Sequence, residues 1–396
     1  MATSISRRSV LAAGAGAAAG LALPGVAAQA GGHSATRARF TLNAETLDGG
    51  EQVTSLTIAT GGLGRIDPAS LSTGTFTVHA KATSPIPIAP GDQIFSEYDL
   101  DRAVTAHRLD HHGDIVLDLA YTITQNAPFA VRGHRPVTIT EFVQGRLSNP
   151  EVDAFRYAIS ASGMKYRLFQ PSRRFAGRGR RPLVVWLHGG GEGASLPDNY
   201  YDNETTLRAN RGALGFATPE AQRIFAGAYV VAPQSTSFWL EDGDRFAPLI
   251  REIVREVARR HPVDRDRISV VGASNGGYMS LKMTTVYPDL FAASVPICGV
   301  VQSLQPGGPT MITDAELRAI RTPTWLVTSR DDDTVPPVPN TVHAHELIDG
   351  SLLSLYDNVV WNGHQFPGHW SWIYVARNDP RIDGTRIWQW MARQRT

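Results

Sequence analysis

The sequence predicts an α/β fold, a mainly parallel sheet with helices on both faces, preceded by a small all-β sandwich. Three observations carry that prediction. Residues 37–149 hold short runs of alternating polarity rich in Val, Ile and Thr. From Val152 onward, continuous apolar runs alternate with helical periodicity. A Gly-Ala-Ser-Asn-Gly turn follows one apolar run directly and opens a helical one.

The first thirty of the 396 residues read as an address. Ser6-Arg7-Arg8-Ser9 sets a twin arginine before an Ala- and Gly-rich apolar stretch from Val10 to Val26. The stretch closes on Ala28-Gln29-Ala30, the small-x-small pattern a signal peptidase needs. The twin arginine points to the Tat route and hence to a secreted protein. So glycine-rich and weakly apolar a segment is a poor membrane anchor. Its removal takes Arg7 and Arg8 and changes the formal charge from +1 to −1. The reading therefore divides the chain into a Tat-type signal at 1–30, a β-sandwich domain at 31–150 and a catalytic domain at 151–396.

Composition excludes several classes. A chain with 38 Lys+Arg against 37 Asp+Glu carries no basic field for nucleic acid. A single Cys excludes intramolecular disulfides and sites built from cysteine clusters.

In the first domain the runs 55–59, 75–79, 114–119, 120–124 and 137–140 alternate, and they are expected to form half-buried antiparallel strands. Several such strands in about 110 residues suggest a sandwich. Residues 37–149 contain no Cys and no Trp, so "immunoglobulin-like" here means architecture only.

In the second domain the buried-strand runs are 182–187, 228–232, 268–271, 293–297 and 324–328. Phe246, Leu249, Ile250, Ile253, Val254 and Val257 recur at helical steps. Asp244 is positioned to cap that helix and His261-Pro262 to close it.

The chemistry centres on Gly272-Ala273-Ser274-Asn275-Gly276. A strand, a sharp turn and a helix hold the central serine strained and exposed. A serine hydroxyl needs a base for its proton and an acid to orient the base. In chain order an acid and a histidine follow Ser274. The acid candidates are Asp331, Asp332 and Asp333, and the histidines are His364 and His369. After the run 182–187 comes His188-Gly189-Gly190-Gly191-Glu192, a loop whose backbone N–H groups can meet a developing oxyanion. Gly190 or Gly191 would supply one donor and Asn275 the other. Trp239, Tyr278 and Trp370 are candidates to wall the substrate pocket, with Phe238 beside them.

These motifs resemble the α/β-hydrolase superfamily, from about Val152 to the C-terminus. The resemblance lies closest to the predicted-peptidase and esterase branch, with its poly(3-hydroxybutyrate) depolymerase-like and feruloyl-type esterases. Some bacterial esterases of that branch carry an immunoglobulin-like N-terminal domain, and the β-rich segment here looks similar. It implies Asp332 as the acid, three residues before Val335-Pro336, and favours His369 over His364 as the base. It also implies an α/β-hydrolase fold and a serine carboxylesterase acting on ester substrates, aryl and polymeric esters included.

No cofactor, metal or nucleic acid is implied. The group His107, His111 and His112 lacks a zinc spacing, and Cys298 reads as a buried, inert thiol. The same triad also serves amides, so a peptidase of short peptides is the first alternative. A non-catalytic carbohydrate- or polymer-binding protein is the second.

Overall fold

A computed structural model describes residues 36–82, 98–112, 114–117, 122–125, 132, 139–175, 179–193, 204–304 and 308–396. The twin-arginine segment lies outside the described residues, as do parts of the runs expected at 114–119, 120–124 and 137–140. The chain forms two compact units. One takes the residues up to Glu45 together with Gln52–Pro150, the other Thr46–Glu51 together with Glu151–Thr396.

Among the described residues the first unit contains two sheets. Strands β1 (Thr36–Leu47), β2 (Gly50–Ile58), β5 (His107–Leu109), β6 (Ile115–Leu117) and β8 (Ile139–Ser148) order as β5-β6-β2-β1-β8. Strands β3 (Phe76–Ala82), β4 (Tyr98–Arg102) and β7 (Thr122–Gln125) order as β4-β3-β7. Alternate residues of each sheet meet in one core: Phe40, Leu42, Leu56, Ile58, Phe76 and Val78 are all buried there. The expectation of antiparallel strands needs one correction. β1 and β8 pair in parallel, Phe40 opposite Gln144 and Leu42 opposite Leu147. Sequence alternation reports which face a residue occupies and carries no information on strand direction.

Asp114 closes the turn after β2, its carboxylate accepting from the N–H groups of Thr60 (2.8 Å) and Gly61 (2.7 Å). Asp110 accepts likewise from His112 and Asp114 N–H. The carboxylates beside the histidine group thus serve the local backbone.

The second unit is built on eight strands: β9 (Phe155–Ile159), β10 (Lys165–Phe169), β11 (Arg181–Leu187), β12 (Tyr229–Pro233), β13 (Val263–Ala273), β14 (Ala293–Ile297), β15 (Trp325–Ser329) and β16 (Leu352–Tyr356). Their order is β16-β15-β14-β13-β11-β12-β10-β9. The six from β16 to β12 run parallel, and β10 pairs antiparallel with both β12 and β9. β12, β14 and β15 are buried along their whole length, as expected of strands covered on both faces. Along β11 the faces separate by parity. Leu183, Val185 and Leu187 join the core under the helix Gly243–Arg260, whereas Val184 and Trp186 join the opposite core with Phe216 and Trp388.

The helix Gly243–Arg260 buries Phe246, Ile250, Ile253, Val254 and Val257. Its cap is Asp242, which accepts from Arg245 N–H at 3.0 Å; Asp244, expected in that role, instead pairs with Lys282 at 2.9 Å. The periodicity marks the apolar face and leaves the first turn open by a residue or two. Pro262, which has no N–H, follows the closing bond from His261 N–H to the Val257 carbonyl. Among the described residues, no helix is long and apolar enough to cross a membrane.

Candidate active site

Parallel strands deliver functional loops at their carboxyl ends, where ligands of open α/β sheets bind. Three loops of interest leave strands there: 188–193 after β11, Ser274 after its neighbour β13 and 330–335 after β15, which β14 separates from β13.

Ser274 stands between β13 and the helix Asn275–Val286 with φ 57° and ψ −115°. A non-glycine residue in that region stores about 1–3 kcal/mol of strain and needs surrounding structure to hold it. Ser274 N–H donates to the Ile297 carbonyl (2.8 Å), and Tyr278 N–H donates to the Ser274 carbonyl (3.0 Å). The neighbouring glycines are required by close approach. A Cβ on Gly272 would lie 2.3 Å from the Gly276 carbonyl oxygen, and one on Gly276 would lie 2.0 Å from that of Leu187. The turn is therefore pressed against the end of β11, beside the glycine-rich loop.

His369 and Asp332 meet. The ring Nδ1 lies 3.0 and 2.9 Å from the two carboxylate oxygens of Asp332. Asp332 is buried, and its Oδ1 also accepts from Thr334 N–H (3.0 Å) and Val335 N–H (2.8 Å). These bonds fix the carboxylate, and the carboxylate fixes the ring with Nδ1 as donor and Nε2 free of that task. Burial opposes a charge on His369, whereas Cys298 and the Asp332 carboxylate favour one. The balance holds its pKa above the ordinary imidazole value.

The other acid and histidine candidates stand elsewhere. Asp331 accepts from the Ser329 hydroxyl, Asp333 is exposed, and His364 is exposed on the short strand β18 (His364–Phe366), which pairs with β17 (Val359–Trp361).

Cys298 is buried, as expected, and it stands beside the His369–Asp332 pair. It is buried with φ 39°, and its Sγ donates to the His369 carbonyl at 3.3 Å. Its sulfur, a ring nitrogen of His369 and a carboxylate oxygen of Asp332 lie within 4.8 Å of one another. Ile297 thus holds the backbone of Ser274, and the next residue holds that of His369. The end of β14 joins the two. Sequence shows a cysteine after an apolar run; only the strand order reveals what it faces.

The glycine-rich loop forms a 3-10 turn at Gly190–Glu192. Gly189 lies beside the serine turn, where an added Cβ would be 3.7 Å from the Ala273 carbonyl oxygen. Asn275 is buried and its Oδ1 accepts from Leu240 N–H at 2.9 Å. Its own backbone N–H is the first of the helix, one of the groups without an intrahelical partner.

The proposed pocket aromatics divide. Trp239 is fully buried, its ring tilted against that of His188 (4.7 Å between ring centres) and donating from Nε1 to the His188 carbonyl at 3.0 Å. Tyr278 is 4% exposed, with its hydroxyl packed against Gly243. Both belong to the hydrophobic core and present no open wall. Trp370 is half-buried and stacks on Phe366 (5.8 Å) and Trp372 (5.7 Å), and Trp372 meets the His369 ring edge-on at 5.7 Å. Phe238, half-buried, lies over Gly190.

The chain is similar to several known hydrolases. The prolyl oligopeptidase family model matches residues 239–310, which include the serine turn. The chain is 29% identical over 133 residues to NocK of Nocardia uniformis subsp. tsuyamanensis, named as an esterase, covering 33% of this chain and 37% of that protein. It is 36% identical over 131 residues to poly(3-hydroxyalkanoate) depolymerase C of Paucimonas lemoignei, covering 30% and 28%. The chain thus spans about a third of the length of the curated relatives it matches. A crystal structure of a thermostable esterase superposes over 90% of this chain and 99% of its own, with TM-score 0.67 and 22% identity. The fold is that of the α/β-hydrolases.

Proposed function

We propose that the protein is a serine hydrolase cleaving carboxylic esters through an acyl-enzyme. The observation that carries this reading is the His369–Asp332 pair, linked through the end of β14 to the backbone of a strained serine whose turn lies beside a glycine-rich loop. Ser274 Oγ attacks the ester carbonyl as His369 Nε2 takes its proton. Asp332 keeps the ring in the required tautomer and stabilises the imidazolium. Backbone N–H groups of Gly190 or Gly191, with that of Asn275, receive the oxyanion. The alcohol leaves with the proton from His369. Water, deprotonated by the same histidine, then releases the acid.

The layer of Trp370, Trp372 and Phe366 beside His369 suits an apolar or aryl group of the substrate. The likeness to a poly(3-hydroxyalkanoate) depolymerase adds hydroxyalkanoate polyesters to the esters worth assaying. The reading gives the immunoglobulin-like N-terminal unit no catalytic group. It includes export through the twin-arginine segment, for which Arg7→Lys/Arg8→Lys should retain the protein inside the cell.

The prolyl oligopeptidase match favours a second reading, amide cleavage of short peptides. Turnover of p-nitrophenyl esters, polyester films and peptide anilides, each with wild type and Ser274→Ala, separates the two. The ester reading expects kcat/KM on esters to exceed that on anilides and to fall at least about 10³-fold in Ser274→Ala. Greater turnover of anilides would favour the peptidase.

A further inference from the structure

We infer that Glu192 is a positioning residue, whose buried carboxylate holds Gly189 from its N–H side and so, together with His188 on the Gly189 carbonyl, aims the backbone N–H of Gly190 at the oxygen that becomes negative when an ester carbonyl is attacked. The inference rests on the serine hydrolase reading and names a group on which that mechanism does not draw.

Three consecutive glycines do not hold one conformation by themselves, since glycine loses more conformational freedom on ordering than any other residue. The loop is held from outside. Glu192 Oε2 accepts from Gly189 N–H at 2.7 Å. On its other side, the Gly189 carbonyl accepts from His188 Nδ1–H at 2.7 Å. That carbonyl and the N–H of Gly190 belong to one planar trans peptide and point in opposite directions. Fixing the first fixes the second. His188 is itself fixed: fully buried and held neutral, its pKa down at about 4, it accepts at Nε2 from Ser235 N–H (3.1 Å). The Glu192 backbone carbonyl accepts from Gln234 Nε2 at 2.8 Å.

The residue type is explained by counting donors. Glu192 is 7% exposed, a costly place for a carboxylate without partners. Its Oε1 accepts from Asn210 Nδ2 as Oε2 accepts from Gly189. Asn210 cannot turn its amide over, because its Oδ1 already accepts from Gly212 N–H at 2.8 Å. Two donors of fixed orientation therefore face one side chain. A carboxylate satisfies both, whereas a glutamine offers one acceptor and sets its NH₂ against the other donor. Burial pushes the Glu192 carboxyl up to about 7, with the Gly189 and Asn210 bonds working against that rise.

The donor count supplies a test by exchange. Glu192→Gln should lower kcat about 10- to 100-fold with KM within about threefold, since an oxyanion donor acts on the transition state. Adding Asn210→Asp restores complementarity: the new carboxylate accepts from the glutamine NH₂ and from Gly212 N–H, and the glutamine oxygen accepts from Gly189. The pair should recover kcat to within about fivefold of wild type, whereas Asn210→Asp alone opposes two carboxylates and loses activity. Hydrogen exchange of the peptide spanning 187–193 reads the same claim without turnover. It should accelerate in Glu192→Gln and return in the pair. Unchanged kcat and unchanged exchange in a folded Glu192→Gln would overturn the inference, as would failure of the pair to restore either. A wild type that hydrolyses no ester would overturn the function reading, and the exchange measurement would still decide the role of Glu192.

Discussion

Replacing Asp332 by Asn tests the orientation of the catalytic ring. In the native site Asp332 Oδ1 accepts from Thr334 and Val335 N–H, and both oxygens face His369 Nδ1. An asparagine at this position keeps its carbonyl toward the two backbone donors. Its NH₂ then faces Nδ1 and selects the tautomer that accepts there, with the proton on Nε2. That tautomer has no lone pair for the Ser274 proton. The corresponding change in a serine protease triad lowers kcat about 10⁴-fold with geometry preserved. Here, too, a loss near 10⁴ is expected, about 5.4 kcal/mol of transition-state stabilisation. The assay is p-nitrophenyl acetate hydrolysis, with circular dichroism and a thermal melt on the same preparation. Asp331→Asn and Asp333→Asn serve as comparators and should keep activity within about threefold, since neither carboxylate faces the ring. A folded Asp332→Asn that loses less than about tenfold, or a greater loss in either comparator, would refute the reasoning.

Further outcomes follow from the same geometry. His369→Ala should lose at least about 10³-fold in kcat, whereas His364→Ala, at an exposed residue meeting Phe366 edge-on, should stay within about threefold; steady-state kinetics of the two decide between them. Gly276→Ala sets a Cβ 2.0 Å from the Leu187 carbonyl, against backbone that cannot yield cheaply. Its soluble yield and melting temperature should fall together with activity. Glu192 links stability to pH. Its folded pKa, near 7, exceeds its unfolded value, so the contribution of this group is full below about pH 4.5 and is lost as pH rises through about 7. The groups bonded to it, Gly189 N–H and the Asn210 amide, carry no charge to offset this. Relative to Glu192→Gln, wild type should therefore lose up to about 3 kcal/mol between pH 5 and pH 8, as read by urea melts at both pH values.

Much of this architecture is legible in the sequence because the physics is local. The runs at 182–187, 228–232 and 324–328 are apolar on both faces, which only a covered parallel strand tolerates. The serine turn announces itself through Gly272 and Gly276, whose absent side chains are what let the start of the helix Asn275–Val286 approach the ends of β13 and β11. What stays hidden depends on neighbours distant in the chain. The parallel pairing of β1 with β8 joins residues about a hundred positions apart and leaves no local trace. Trp239 follows a strand end, as the sequence implies, yet it packs inward against His188. Cys298 and Glu192 look ordinary until the strand order sets one against His369 and places the other between Gly189 and Asn210. The choice among Asp331, Asp332 and Asp333 came from resemblance; three adjacent aspartates are chemically equal until one is placed opposite a ring.

Covalent labelling by a fluorophosphonate followed by peptide mass mapping tests the central claim most directly, since it requires an activated serine, a base and an oxyanion site together. The account predicts one adduct per chain on the peptide containing Ser274, absent in Ser274→Ala and slowed at least about 10³-fold in His369→Ala. A folded wild-type protein that takes no label, or takes it at another residue, would contradict it.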